Sequence, residues 1–326
     1  MRFFSVALLV LTGCSSSLSL EHVSTLTHGT KGVLLHADGQ ATAGIDGMVC
    51  TVQATGTVNE IGMIDDIDFT DAPETVEDSL GDTVIASSMV GLHFIESGVA
   101  GDSIDIEGVL AARLFSDGDT TGVAALRAVD GACQVEWLGA GSEAGAIASV
   151  SEALCGDVQV TADPATGAVY IANGDLHKVT PDAEVALGVS ADFVRYDAQS
   201  GTLFAATDSR VTALVGDEVA WEREVDGTIL SVGAYGDTGA AMVGLSKASG
   251  RGGLSIFGPE RSGDGDGMPS FDEDLPEGGS VASSEDGSLL AVVLDRETHF
   301  FKVCREDCGS GMRFSPTGDE TVRFID

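Results

Sequence analysis

Alternating carboxylates on a glycine-rich stretch are the residues of this sequence with the clearest capacity to hold a ligand. The stretch from residue 262 to residue 274 reads SGDGDGMPSFDED, with Asp264, Asp266 and Asp272 at relative positions 1, 3 and 9 and Asp274 two residues later. Calcium prefers six to eight oxygen ligands, which such a loop can supply. The pattern lacks the bidentate acid at position 12 of an EF-hand. It favours calcium as a candidate cofactor, and the alternative is a solvated acidic insertion.

Two pairs of cysteines have spacings that suit disulfide bonds. Cys304 and Cys308 flank a short turn. Cys133 and Cys155 are 22 residues apart, and a disulfide between them could link neighbouring strands. Disulfides are typical of exported chains, but the connectivity stays open at this point. The alternative is a zinc site built from His299 with the later pair, which would still lack the usual fourth ligand.

Catalytic motifs are absent from the sequence. The six histidines are dispersed, and there is no G-x-S-x-G elbow, no H-E-x-x-H and no P-loop. A Ser-His-Asp triad assembled in space stays open, as does a carboxylate pair for glycoside hydrolysis, because 52 acidic residues make some proximity inevitable. We expect no enzymatic activity and assign no catalytic residue.

The charge of the chain excludes several classes of partner. The 326 residues include 52 acidic and 16 basic side chains, for a formal net charge of −36. Such a surface repels nucleic acid and anionic lipid headgroups. A hydrophobic fraction of 43% is nevertheless enough for a full core, so the chain is not a disordered acidic tail.

The N-terminal segment MRFFSVALLVLTGC predicts export. It combines Arg2 with an apolar run that is too short to span a bilayer, followed by small residues. Leu11 to Cys14 resembles the lipobox of bacterial lipoproteins, which implies lipid attachment at Cys14 after removal of residues 1–13. The residue after this cysteine is Ser15 rather than the aspartate that retains such lipoproteins in the inner membrane. The resemblance therefore implies that the protein is located at the outer membrane of a Gram-negative cell, on its periplasmic or surface face. After pairing of the other four cysteines, Cys50 is left over and is expected to be buried.

A repeat of about 40 residues organises the rest of the chain. Each copy has a tight turn containing glycine and often aspartate, followed by an apolar strand. Glycine supplies the positive φ that tight hairpins need, and aspartate can hydrogen-bond the backbone beside it. The markers are Gly39, Gly81, Gly118, Gly167, Gly201, Gly239, Gly287 and Gly318.

An all-β chain with this period predicts a β-propeller. The segments DPATGAVYIAN (163–173) and SSEDGSLLAVV (283–293) resemble repeats of YVTN-type and WD40-like bacterial propellers. We predict seven blades over residues 29–326, with six or eight blades, or a pair of β-sandwiches, as alternatives. Residues 14–28 are expected to form a flexible tether, and residues 261–278 an acidic insertion. Eight markers for seven blades imply one blade shared between the termini, with Met312–Ile325 pairing near residues 30–60.

These features favour a lipid-anchored, non-enzymatic propeller that binds a protein partner at the bacterial envelope. Membrane contact is expected through the N-terminal lipid only, and nucleic acid is not an expected partner. The alternatives are a propeller enzyme, either quinoprotein-like or a hydrolase, and a lipoprotein that binds a small ligand in its central channel.

Overall fold

A computed structural model of the chain shows an all-β architecture. It describes residues 19–26, 30–36, 40–45, 48–53, 61–63, 75–88, 91–96, 99–116, 118, 120–139, 145–156, 158–235, 239–246, 252–258, 271–275, 280–284, 288–294 and 297–304. A short 3-10 helix at Glu152–Leu154 accompanies 27 strands within these ranges.

The strands follow one another along the chain with short connections. The first thirteen are β1 (Ser19–Leu26), β2 (Thr30–Leu35), β3 (Gln40–Ile45), β4 (Met48–Gln53), β5 (Ile61–Met63), β6 (Thr75–Leu80), β7 (Thr83–Ser87), β8 (Gly91–Glu96), β9 (Val99–Asp105), β10 (Val109–Ser116), β11 (Thr121–Val129), β12 (Ala132–Leu138) and β13 (Ile147–Val150). The others are β14 (Gln159–Ala162), β15 (Val169–Thr180), β16 (Ala183–Ala191), β17 (Phe193–Asp197), β18 (Thr202–Thr207), β19 (Arg210–Val215), β20 (Glu218–Glu224), β21 (Thr228–Tyr235), β22 (Ala240–Ser246), β23 (Gly252–Phe257), β24 (Phe271–Leu275), β25 (Ser280–Ser283), β26 (Leu289–Val293) and β27 (Thr298–Cys304).

Seven antiparallel sheets form the blades of a propeller, which confirms the predicted fold and blade count. In chain order the sheets are β2–β5, β6–β9, β10–β13, β14–β16, β17–β20, β21–β24 and, for blade 7, β25-β26-β27-β1. The first strand of each sheet contacts the first strand of the next, and β2 contacts β25. These inner strands therefore form a closed ring around a central channel.

Blade 4 has three strands because β15 supplies two positions in its sheet. Val169–Ala172 pairs with β14, whereas Gly174–Thr180 pairs with β16. Ile171 and Val179 lie in one buried cluster, although eight residues of extended strand would separate them by about 26 Å. We infer that β15 folds back at Gly174, whose φ is +77°, so that β16 occupies the outer position of this blade.

Blade 7 is assembled from both ends of the described chain, but not from the predicted segments. β1 pairs antiparallel with β27, from Ser19 opposite Cys304 to Leu26 opposite Thr298. The expected pairing near residues 30–60 is wrong, because those residues form the sheet of blade 1. Met312–Ile325 lies outside the described residues. The expected tether over residues 14–28 is also too long, because the propeller begins at Ser19 rather than at residue 29.

The acidic insertion predicted over residues 261–278 is likewise shorter than expected. Within it, β24 pairs with β23 through Gly252 opposite Leu275 and Leu254 opposite Phe271. These residues therefore complete the sheet of blade 6 as its outer strand, because an edge strand can pair through its backbone whatever its side chains.

The five predicted glycine turns that the structure describes occupy the same place in their blades, whereas Gly39, Gly287 and Gly318 lie outside the described residues. Gly81, Gly118, Gly167, Gly201 and Gly239 have positive φ and lie between the first and second strands. In two of these turns an aspartate organises the backbone. Asp163 accepts hydrogen bonds from the amide of Ala165 and the hydroxyl of Thr166, and Asp197 accepts the corresponding bonds from Gln199 and Ser200.

The cysteine predictions are confirmed where the residues are described. Cys133 and Cys155 form a disulfide that joins β12 to the segment after the 3-10 helix. Cys50 is buried, at 1% exposure, between the sheets of blades 7 and 1. Cys308 lies outside the described residues, so its pairing with Cys304 stays a prediction.

A chain of hydrogen bonds runs along the closing pair of strands. His22 is 3.0 Å from the Thr25 hydroxyl, which is 3.2 Å from Nδ1 of His299, and Nε2 of His299 is 3.0 Å from a Glu297 carboxylate oxygen. Burial, reinforced by the neighbouring His299, lowers the pKa of His22 to about 4, although a backbone hydrogen bond at Ser24 opposes this shift. The neutral imidazole is therefore the form that suits the closed ring.

We expect acid to weaken this closure. The unfolded chain binds a proton at His22 near pH 6.5 and the folded chain only near pH 4, so stability falls as the pH drops through that window. Because His22 is partly exposed, we expect a contribution on the order of 1 kcal/mol. Urea unfolding at pH 7 and pH 4.5 should show a smaller loss for His22→Gln than for the unmodified chain. His36→Gln, in blade 1, is the control, and an unchanged loss in His22→Gln would contradict the prediction.

Candidate functional site

Charged side chains from three inner strands are placed at the central channel. Glu77 and Asp78 lie on β6, Arg113 on β10 and Arg195 on β17. They stand in mid-strand, where Asp78 pairs with Ile85, Arg113 with Ala124 and Arg195 with Phe204 of the second strands. Because inner strands of a propeller converge on its axis, residues far apart in sequence meet here.

Arg113 joins three blades through its guanidinium group. Its Nε donates to the Val160 carbonyl of blade 4 at 2.9 Å, and its Nη1 lies 3.1 Å from the Glu77 carbonyl and 3.2 Å from Glu77 Oε2 in blade 2. Nη1 also donates to the Ala112 carbonyl at 2.6 Å. The side chains of Arg113 and Glu77 are only 16% and 11% exposed. This arginine therefore serves as a structural link between adjacent inner strands.

The two carboxylates beside Arg113 also hold the backbone of β10. Glu77 Oε2 accepts a hydrogen bond from the Ala112 amide at 3.4 Å, and Asp78 Oδ2 accepts one from the Leu114 amide at 3.0 Å. Glu77 Oε1 also accepts a hydrogen bond from the Ser87 hydroxyl of β7 at 2.7 Å. A β-bulge between Val76 and Asp78 alters the strand register at this point. Bulges redirect side chains, and this one lets two successive acidic residues both reach β10.

Replacing Arg113 should destabilise the fold. We expect Arg113→Met to lower the free energy of unfolding by about 2–4 kcal/mol, because it leaves the Glu77 carboxylate buried without its partner. Arg210→Met is the matched control: Arg210 is 3.8 Å from Glu224, and both side chains are exposed, so a change within about 0.5 kcal/mol is expected. Urea unfolding measures both. Equal losses in the two variants would show that the link contributes nothing.

Arg195 differs from Arg113 in having no such partners. In the part of the chain that the structure describes, its guanidinium group makes no hydrogen bond and no ion pair within 4.0 Å. Burial is the main cause that lowers the pKa of Arg195; Asp78 and Asp197 oppose that shift, and Arg113 adds to it. The guanidinium group therefore lies within electrostatic reach of blades 2 and 3 but is not neutralised by contact.

Two tyrosines pack between blades 4 and 5. The rings of Tyr170 and Tyr196 stack with centroids 5.9 Å apart and an interplanar angle of 8°. Burial, followed by the charge of Asp163 and a hydrogen bond to it, raises the pKa of Tyr196 to about 12. Both hydroxyls are therefore neutral at physiological pH, and the Tyr196 hydroxyl is a donor to a carboxylate rather than a general base.

The candidate site residues predicted from sequence that the structure describes do not lie on the inner strands. Cys14, Asp264 and Asp266 lie outside the described residues, and Asp272 and Asp274 belong to β24. No group of three or more histidine, cysteine or acidic side chains is arranged to hold a metal among the residues that are described. Calcium binding stays a prediction.

The zinc alternative loses one of its expected ligands to another contact. Nε2 of His299 is 3.0 Å from Glu297, and Nδ1 is 3.2 Å from the hydroxyl of Thr25. Both ring nitrogens of His299 are therefore already engaged in the strand pair that closes the ring.

Sequence reasoning missed the channel charges, although a signal was present. Basic residues are scarce, and Arg113 and Arg195 interrupt the otherwise apolar segments LAARLF and FVRY. A charged residue within an apolar strand is costly to bury without a partner or a function. The sequence could have shown that each arginine is unusual, but not that both lie in one channel.

Comparisons with known proteins support the fold without assigning a family. No protein-family model matches the chain, and no curated protein matches it. A chain in the crystal structure of a mitotic checkpoint complex is similar, with a TM-score of 0.61, 11% identity, and 93% of this chain and 98% of that chain covered.

Two further solved structures have the same architecture. The WD40 repeats of RRP9 align with a TM-score of 0.55 and U3-55K with one of 0.56, each at 11% identity and over 87% of this chain. The matches cover 97% and 98% of those chains, respectively. At this identity the likeness shows a WD40-like seven-bladed propeller and nothing about activity.

Within the described ranges, no helix has the length and apolar character required to span a membrane.

Proposed function

We propose that this protein is a lipid-anchored, non-enzymatic propeller that acts as a protein-binding scaffold at the bacterial envelope. Rigid blades that display loops and edges at fixed positions suit a binding role. One similar propeller is part of a mitotic checkpoint complex, which is a protein assembly. This similarity supports a protein-binding role here.

The observation that carries the binding role is an exposed apolar patch on blades 4 and 5. Val185 and Val219, which we term the rim patch, are each 50% exposed. Val185 pairs with Lys178, whose Nζ is 2.8 Å from Asp217, two residues before Val219. Apolar side chains grouped on an otherwise acidic surface favour burial against another protein.

Cys14 supports the membrane part of the proposal. Five residue steps separate it from Ser19, the first residue of β1. An extended chain of that length reaches at most about 17 Å. A lipid on Cys14 would therefore hold the outer edge of blade 7 close to the membrane surface.

Expression in a Gram-negative bacterium with a labelled fatty acid tests the anchor. The unmodified chain should incorporate label and stay with membranes after a high-salt wash, whereas Cys14→Ala should do neither. Ser16→Ala, which keeps the cysteine, is the control. Membrane retention of Cys14→Ala would contradict lipid anchoring at this residue.

Photo-crosslinking in cells of the source organism tests the binding role. A photoreactive residue at Val219 should give a discrete protein adduct that is lost when Val185 is changed to aspartate. The same residue at Ile147, which is 54% exposed on blade 3, is the matched control. Equal adducts from both positions, or none from Val219, would contradict the assignment of the rim patch.

A further inference from the structure

Arg195 on the inner strand of blade 5 makes no side-chain hydrogen bond and no ion pair with any residue that the structure describes. Glu77 Oε2 lies near both Arg113 and the Ala112 amide, and Glu77 Oε1 accepts from Ser87. Arg113 is occupied by carbonyls and by Glu77, whereas Arg195 has no equivalent contacts in the described chain. Removing Arg113 would break links between blades, but removing Arg195 would break no described hydrogen bond.

A guanidinium group in this position needs a counter-charge. Arginine stays protonated at all physiological pH values and carries five N–H donors. Arg195 is partly buried, so its donors are only partly open to bulk water, and an unpaired charge in such a place is costly. Asp78 and Asp197 act on Arg195 electrostatically, but neither forms an ion pair with it within 4.0 Å. The folded protein therefore bears the free-energy cost of an unpaired charge at Arg195, whereas the contacts of Arg113 offset that cost.

The channel is also a place where the overall charge of the protein is offset. The chain has 16 basic residues against 52 acidic ones, and three of the 16, Lys31, Arg113 and Arg195, lie on inner strands. Glu77, Asp78 and Asp197 balance them formally, so the inner strands are neutral within a protein of charge −36. An anion that the outer surface repels can be accepted here.

We propose that Arg195 anchors a binding site in the central channel for a small oxyanion, namely a carboxylate or a phosphate group. The planar guanidinium fork matches the geometry of both groups and can bind either through two parallel hydrogen bonds. Arg113 adds positive potential from blade 3. Asp78 uses Oδ2 for the Leu114 amide, and its other oxygen faces no described donor, which favours ligands that carry a hydrogen-bond donor beside the anionic group.

This site is independent of the proposed scaffold role. The rim patch lies on the outer strands of blades 4 and 5, whereas Arg195 lies on the innermost strand of blade 5. Loss of one activity would leave the other in place.

Thermal unfolding of the full-length protein in sodium phosphate, in sodium acetate and in sodium chloride at matched ionic strength tests the proposal. A ligand that binds only the folded state raises the midpoint in a saturable manner. We expect such a rise with phosphate or acetate over chloride, and comparison of the two identifies the preferred group. Arg195→Gln should weaken the apparent affinity at least tenfold, and Arg210→Gln, an exposed arginine on the same blade, should leave it unchanged.

The same variants separate a binding role from a structural one. Without added anion, Arg195→Gln should unfold at the same or a higher midpoint, because it removes an unpaired, partly buried charge. Arg195→Lys keeps the charge but loses the planar fork, so it should fold and bind more weakly. No saturable rise with either anion, an equal rise in Arg195→Gln, or a lowered anion-free midpoint in that variant would overturn the proposal.

Discussion

A chain that begins at residue 27 should lose more than about 4 kcal/mol of unfolding free energy relative to a chain that begins at Ser19. The deletion removes β1, which is the outer strand of blade 7 and pairs with β27 along its length. It also removes Leu26, which is 2% exposed and packs with Phe300 between blades 7 and 1. Blade 7 would then end in an unpaired edge, and its contact with blade 1 would weaken.

Two comparisons make this expectation specific to ring closure. Leu26→Ala should cost about 2–5 kcal/mol by leaving a cavity while keeping the strand. Truncation after Cys304 keeps all four strands of blade 7 and should retain the urea midpoint. If that truncation were the more damaging change, the rival idea of closure by Met312–Ile325 would be favoured over closure by β1.

Gly32→Ala should be the most damaging single substitution among the inner strands, at more than about 4 kcal/mol. Gly32 has φ of +78°, and a Cβ there would stand 2.1 Å from the carbonyl oxygen of Val76 on β6. Because that oxygen belongs to the backbone of the next blade, β2 and β6 would have to separate. The loss of unfolding free energy therefore combines backbone strain at a positive φ with the separation of two neighbouring inner strands.

Gly81→Ala is the matched control for this effect. Gly81 also has positive φ, at +58°, but a Cβ there meets nothing within 4 Å. It should lose only about 1–2 kcal/mol from backbone strain. Urea unfolding of the two variants gives the comparison, and similar losses would show that the approach of β2 to β6 does not limit the structure.

The turn pattern made the blade count predictable. Asp163 and Asp197 organise their turns through hydrogen bonds that reach only two or three residues, and Gly167 and Gly201 provide the positive φ that follows. Such interactions depend on residue type and short spacing alone. A positive-φ glycine turn follows the first strand in five of the described blades, so counting such turns came close to counting sheets. The eighth marker, Gly318, misled the assignment of the closing strands because a local motif says nothing about its distant partner.

The channel charges and the closing pair depended on long-range geometry. Arg113 meets the Glu77 and Val160 carbonyls only because three inner strands converge, and Ser19 meets Cys304 only because seven blades complete a circle. Many apolar segments can pair as β-strands, so their local character does not choose among partners far away in sequence.

The sequence by itself thus determined the all-β class, the position of the first hairpin in each blade and the acidic character of the surface, because local backbone preference and composition control these. It also contained the lipobox-like segment ending at Cys14. Only the tertiary structure decided that β1 closes the ring, that Cys133 pairs with Cys155, and that Arg195 stands in the channel without a partner among the described residues. These depend on which strands the closed ring brings together, and ring closure is a property of all seven blades at once.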